Sequence, residues 1–422
     1  MRTLCRFFCQ CVITGVPAMV MMSSIASADD WFDQNWSLNG FGTLGYTQTN
    51  KYDERIPRRN ITQSGKNLQD SGFLMDSRLG LQVKGQLTDH WEFVSQLVVR
   101  EQFSHSLEDY IDIGFFRYRT QSGWQVGIGR QAFDLFFLSD HHNTSYSYDW
   151  IRPPTEFYGF MPYESFDGFK VVKNWGDFDN DWHWGLSVGN IEAKFDSDVL
   201  AESQDVDSLE ANPIYSTELS WQTGQWQLRA SYAILKFAQE AGELEELEAL
   251  ADEIRPIWPG FDQVVADASR HSTLRYTTLG AAWHHGDWKV QSEWSTIDSN
   301  FTSFKGQRAY FHVSKRWQDW QPFVSLGYAH DNQKVPYRKP PPDAGFDEFF
   351  ADVSGGIEAM RHNQHSFTLG VRWDFARQKA LKLQCDYFYF KRGSGSVHGR
   401  VDGRYRKDER RNWCSAAIDW VF

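Results

Sequence analysis

Residues 364–391 read QHSFTLGVRWDFARQKALKLQCDYFYFK. Phe367, Leu369, Val371, Trp373 and Phe375 fall on one side of an extended chain, and Thr368, Gly370, Arg372 and Asp374 on the other. After the break at ARQ, Leu381, Leu383, Cys385, Tyr387 and Tyr389 alternate with Lys382, Gln384 and Asp386. A two-residue period is that of a β-strand with unlike faces. Charged side chains spaced along a whole strand cannot lie in a dry core without partners. The polar face is therefore expected to meet water. A soluble sheet would turn it outward and pack the apolar face inside; a membrane barrel does the reverse.

The same alternation recurs along the chain. It predicts strands at 35–48, 76–88, 90–102, 109–120, 123–131, 165–175, 181–191, 213–223, 225–237, 272–285, 287–299, 306–317, 320–331, 364–376, 378–391 and 411–422. The number is even, and most segments are longer than the five or six residues usual in soluble sheets. Tight connections at TDH, QSG, TGQ and HGD alternate with long ones at 49–75, 132–164, 192–212, 238–271, 332–363 and 392–410. Short turns at one end and long loops at the other are the signature of a transmembrane β-barrel. Closure also removes the open edge that lipid cannot satisfy. Tryptophan clusters at the short-turn end, as in LTDHWEF, WQTGQWQ and WHHGDWKV, where amphipathic rings favour the headgroup level.

Composition narrows the class further. Residues 1–28 carry Arg2 and Arg6, an apolar run and the small-residue ending ASA, which predicts a cleaved signal peptide and a mature barrel domain over 29–422. The net charge of −12 argues against nucleic-acid partners. After Asp29 no apolar run is long enough for a transmembrane helix. Cys385 and Cys414, the two cysteines beyond the signal, do not make a disulfide scaffold in so long a chain.

The signal, the opening SLNGFGTLGYTQTN, the sixteen-strand rhythm and the terminal WVF together resemble the general porins of Gram-negative outer membranes. The resemblance covers essentially all of 29–422 and implies an all-β, sixteen-stranded outer-membrane barrel with short periplasmic turns and long extracellular loops. It further implies a homotrimer and passive diffusion of small hydrophilic solutes and ions. Membrane lipid and lipopolysaccharide would surround it, and the outer-membrane assembly machinery would recognise Phe422. A third outer loop folded into the pore corresponds to 131–169. The PEFGG-type segment of enterobacterial porins is absent there, with EFYGFMPYE in its place.

Pore chemistry follows from the polar faces. Arg78, Lys84, Arg100, Arg229, Arg275, Arg372 and Lys382 are expected to form a basic wall. Asp134, Asp140, Asp149, Glu156, Glu164 and Asp167 are expected on the facing loop. Opposed rows of this kind set a transverse field across narrow water, which favours polar over apolar solutes, with a lean toward anions. The alternative function is a non-channel adhesion or structural barrel that uses the outer loops. Catalysis is not expected, since no GxSxG stands between a strand and a helix. Asp140, His141 and His142 resemble metal-ligand chemistry, but His284 and His285 are adjacent on a strand and point apart, and no metal or cofactor is expected. GELEELEALADE, 242–253, reads as an exposed acidic run and RKPPPDAG, 338–345, as a stiff extended loop.

Overall fold

A computed structural model describes residues 35–49, 58–63, 71–102, 105–160, 164–196, 206–237, 250–262, 272–299, 305–332, 338–342, 345–351, 354, 361–392 and 408–422. The expected signal peptide at 1–28 lies outside them, as do Gly242 and most of the acidic run.

Sixteen long strands and one two-residue strand form a single antiparallel sheet that closes on itself. In chain order they are β1 (Trp36–Thr49), β2 (Ser71–Gly72), β3 (Arg78–Gln86), β4 (Trp91–Arg100), β5 (Ile111–Arg119), β6 (Trp124–Ala132), β7 (Ser165–Gly176), β8 (Asp181–Asp196) and β9 (Val206–Gln222). Then follow β10 (Trp226–Phe237), β11 (Ser272–His285), β12 (Trp288–Ser299), β13 (Gly306–Lys315), β14 (Trp320–Asp331), β15 (Asn363–Ala376), β16 (Lys379–Phe390) and β17 (Glu409–Val421). β1 closes the barrel by pairing with both β3 and β17. The fold is the expected all-β transmembrane barrel, with β2 as an unforeseen two-residue addition on β1.

The outward face carries the apolar residues that alternation assigned to it. Leu369, Val324 and Leu326 are exposed although large and apolar, which in a closed barrel marks contact with lipid. Two aromatic belts bound this surface. At the turn end tryptophans stack across strands, Trp175 on Trp182 and Trp320 on Trp373, with ring centroids 6.0 and 5.1 Å apart. At the loop end the belt is tyrosine and histidine: Tyr328 meets His365, which in turn meets Tyr389. At the tight β11–β12 turn Gly286 takes φ +56, a conformation that glycine adopts without a Cβ penalty.

At the seam, the terminal rings lie flat on glycines of the opening strand. The Phe422 ring sits over Gly40 and the Trp420 ring over Gly42, each so close that an added Cβ would lie 2.2 Å from ring carbon. Cys385 and Cys414 are register partners on β16 and β17 and are joined by a disulfide on the outward face. Thus the two cysteines staple the closing hairpin.

Candidate channel and its inner loop

The connection between β6 and β7 contributes an inner loop with two short helical turns, η1 (Ser145–Ser147) and α1 (Thr155–Tyr158). Its described residues fold into the barrel. Phe133, Leu135, Phe136, Leu138, Tyr148, Trp150, Phe157 and Phe160 pack against wall residues Ile214, Leu235, Leu274, Tyr276, Ile297, Tyr310 and Phe323. Part of the inner wall is therefore apolar because the loop covers it.

Polar contacts hold the loop around most of the circumference. Ser231 Oγ on β10 donates to the Leu135 carbonyl. The Phe137 amide donates to Glu293 of β12 at 2.8 Å, and Glu293 also accepts from Tyr158 and Tyr310. Trp150 Nε1 donates to Ser325 of β14 at 2.8 Å. Arg152, almost wholly buried, bridges Asp76 and Asp386 at 2.7 and 2.8 Å.

The residues expected to form a basic wall are mostly consumed in this anchoring. Lys382, fully buried, donates to the carbonyls of Ser145, Tyr148 and Trp150 at 2.6, 2.7 and 2.9 Å and pairs with Asp419 at 2.8 Å. Arg372 donates to the Tyr146 carbonyl at 2.6 Å and lies over the Tyr146 ring. Arg78 donates to the Asn143 carbonyl at 2.6 Å and to Tyr148 Oη at 2.8 Å. Arg229 pairs with Glu218 and donates to the Asp134 carbonyl at 3.0 Å. Arg100 pairs with Glu164 and donates to Asn143 Oδ1 at 2.6 Å. Backbone carbonyls buried away from water require partners, and these cations supply them. Lys84 is different. It stays half-exposed, 3.4 Å from Glu92.

The expected acidic row divides likewise. Asp134 pairs with Lys170 of β7. Asp140 contacts its neighbour His141 and remains largely exposed. Asp149 accepts from Ser314 and Gln321 at 2.9 and 3.0 Å and meets the His312 imidazole at 2.9 Å. Burial opposes ionisation of Asp149, but Lys289 and these donors outweigh it and hold the carboxyl well below the usual range. Glu156 accepts from Gln364 and Ser366 at 3.0 and 2.9 Å. Burial pushes the Glu156 carboxyl up, against the opposing effect of those hydrogen bonds.

Two expectations fail on placement. Arg275 is exposed and lies between Ile234 and Asp298, on the outward face. Its neighbours Leu274 and Tyr276 point inward to the loop's aromatics, so apolar residues there mark the inside. Asp167 belongs to β7, where it shares a face with the exposed Phe169 and pairs with Arg130 at 2.9 Å. It faces no basic wall.

His312 lies between Asp149 and Ser325 Oγ, 2.8 Å away. This order resembles a catalytic array, yet His312 is fully buried and Trp150 already donates to Ser325. Its chemistry is anchoring.

The inner wall left uncovered lies on β3 to β6. Gln82 and Gln96, hydrogen-bonded at 2.9 Å, Arg117 and Gln125 are half-buried rather than buried. Near the turn end, Lys84, Arg117 and Arg119 surround the buried Glu92 carboxylate. Three cations on one carboxylate leave this stretch basic. Sequence reading missed Arg117 and Arg119, although both share a strand face in IDIGFFRYR.

Comparison with solved structures adds the family of folds. An anion-selective porin from Comamonas acidovorans superposes with a TM-score of 0.52 at 14% identity, covering 92% of this chain and 99% of that one. The chain has the outer-membrane porin fold. The Salmonella typhi OmpF complex with daunomycin gives a TM-score of 0.52 at 10% identity, over 92% and 98% of the two chains. The outer-membrane channel DcaP of Acinetobacter baumannii gives 0.51 at 11%, over 92% and 97%. No protein-family model and no curated protein matches the sequence.

Proposed function

We propose that this porin-fold barrel is an outer-membrane channel for passive diffusion of small hydrophilic solutes and ions, with a lean toward anions. One observation carries the reading. The inner loop covers the wall of β9 to β17 and touches β3 and β4 at Arg78 and Arg100, but leaves Gln82, Gln96, Arg117 and Gln125 of β3 to β6 half-buried along the interior. A strip of Gln82, Gln96 and Gln125 ending at Lys84, Arg117 and Arg119 offers water-like hydrogen bonding and then positive potential. Fixed charge beside narrow water sets ion preference. The lean toward anions thus moves from the six anchoring or outward cations to this basic stretch. The Comamonas porin of like fold is described as anion-selective, which agrees with this reading.

Assembly as a homotrimer amid lipid and lipopolysaccharide, with Phe422 as the mark read by the assembly machinery, belongs to the same proposal. The exposed Phe422 ring at the seam supports the last point. The competing reading, a sealed structural or adhesive barrel, draws support from the many contacts of the loop around the wall. Planar-bilayer recording separates them: stable current steps are expected of the channel, and their absence with folded protein inserted favours the sealed barrel.

A further inference from the structure

The neck of the inner loop holds a group whose arrangement goes beyond the Arg100–Glu164 anchoring pair. His142 and Glu164, from the two limbs of the loop, converge on Asp112 of β5. One ligand-capable atom from each lies within 4.8 Å of the other two. His142 Nδ1 meets the Ser139 carbonyl at 2.8 Å. A carbonyl can only accept, so Nδ1 carries the hydrogen and Nε2 of the neutral ring presents a lone pair. That lone pair faces Glu164 Oε2 at 3.1 Å. Two electron-rich atoms at this separation call for a cation between them, a proton or a metal ion.

The carboxylates are oriented from behind, as ligating carboxylates commonly are. Asn143 Nδ2 donates to Asp112 Oδ1 at 2.9 Å, and Asn60 Nδ2 to Glu164 Oε1 at 3.1 Å. A cavity of about 160 Å³ opens beside Asp112 and Glu164, and carboxylates outnumber cations along its lining. It supplies both an entry path and attraction for a cation. Arg100 contacts Glu164 Oε2, the same oxygen that faces His142 Nε2, so a bound ion competes with the guanidinium for that oxygen while His142 Nε2 and Asp112 remain open to it.

We propose that Asp112, His142 and Glu164 bind a divalent transition-metal ion. One imidazole nitrogen and two carboxylate oxygens suit zinc, with water in the fourth position. Bound there, the ion ties both limbs of the loop to β5 and closes the neck of the lobe that lies against the far wall. This inference does not depend on solute transport.

The test is calorimetric titration of the full chain with zinc chloride, after extraction into detergent and stripping by chelator. Heat-modifiable gel mobility confirms that each variant is folded. One zinc per chain is expected, with affinity at least about tenfold weaker in His142→Gln and Asp112→Asn. His141→Gln should bind as the unchanged protein does. Absence of saturable binding, unchanged affinity in His142→Gln, or loss of binding in His141→Gln overturns the site. Should the first two variants not fold, X-ray absorption of the zinc-loaded chain decides. A shell of nitrogen and oxygen with one imidazole supports the site, and none or several imidazoles contradicts it.

Discussion

Lys382 shows what the interior charges do. A fully buried ammonium survives only where its hydrogen-bonding capacity and charge are met, and here three loop carbonyls and Asp419 meet them. Lys382→Met removes the donor and leaves Asp419 buried without its cation. Loss of one partner of a buried pair costs about 3–5 kcal/mol. The folded barrel of this variant should therefore melt at lower temperature in heat-modifiability gels; an unchanged melting profile would show that the loop is held elsewhere. Glu156 gives the opposite sign. Its carboxyl is raised by burial, so the seated loop favours the protonated form. Its contribution is present below the ordinary glutamate range and is lost as pH rises through the raised value. Glu156→Gln should accordingly stabilise the protein near neutral pH, with the difference vanishing in acid. Thermal melts at both pH values check this, and a destabilised variant at neutral pH would refute it. Asp149, held low, behaves conversely: its contribution stands above the ordinary carboxylate range and is lost only as pH falls well below it.

At the scale of elements, strands were more legible than the loop. Segments 272–285 and 320–331 read from alternation coincide with β11 and β14, because lipid on one side and polar contacts on the other enforce a strict period. β8 and β9 extend farther, to Asp196 and from Val206, where the pairing continues beyond the regular alternation. The face of Arg275 was misread for a physical reason. Inward Leu274 and Tyr276 contact the loop's aromatic cluster, so the inside of β11 is locally as apolar as its outside. Likewise, the loop's charges could be listed from sequence, but which carbonyls Arg78, Arg372 and Lys382 cap depends on a path that no period encodes. Two outcomes follow. Spin labels at Leu369 should contact lipid and labels at Gln96 water; the reverse would invert the barrel's faces. Replacing Arg100, Arg229 and Arg372 together by Gln should unseat the loop and make the current larger or noisier. A shift in ion preference with equally quiet current would instead restore the basic-wall picture.

For the whole molecule, closure, the two aromatic belts and the terminal rings over Gly40 and Gly42 describe a barrel built to sit in a membrane, with its interior divided by one loop. With the loop packed over β9 to β17, the half-buried polar residues of β3 to β6 form the proposed solute path, which ends among Lys84, Arg117 and Arg119. Solute is proposed to pass there. This path is tested most directly by reversal potentials across a planar bilayer under a potassium chloride gradient, for the unchanged protein and for Arg117→Gln with Arg119→Gln. Stable current steps whose reversal potential favours chloride are expected, with a clear loss of that preference in the double variant while the barrel stays folded. Folded, inserted protein that passes no current, or a reversal potential indifferent to both arginines, would contradict that path.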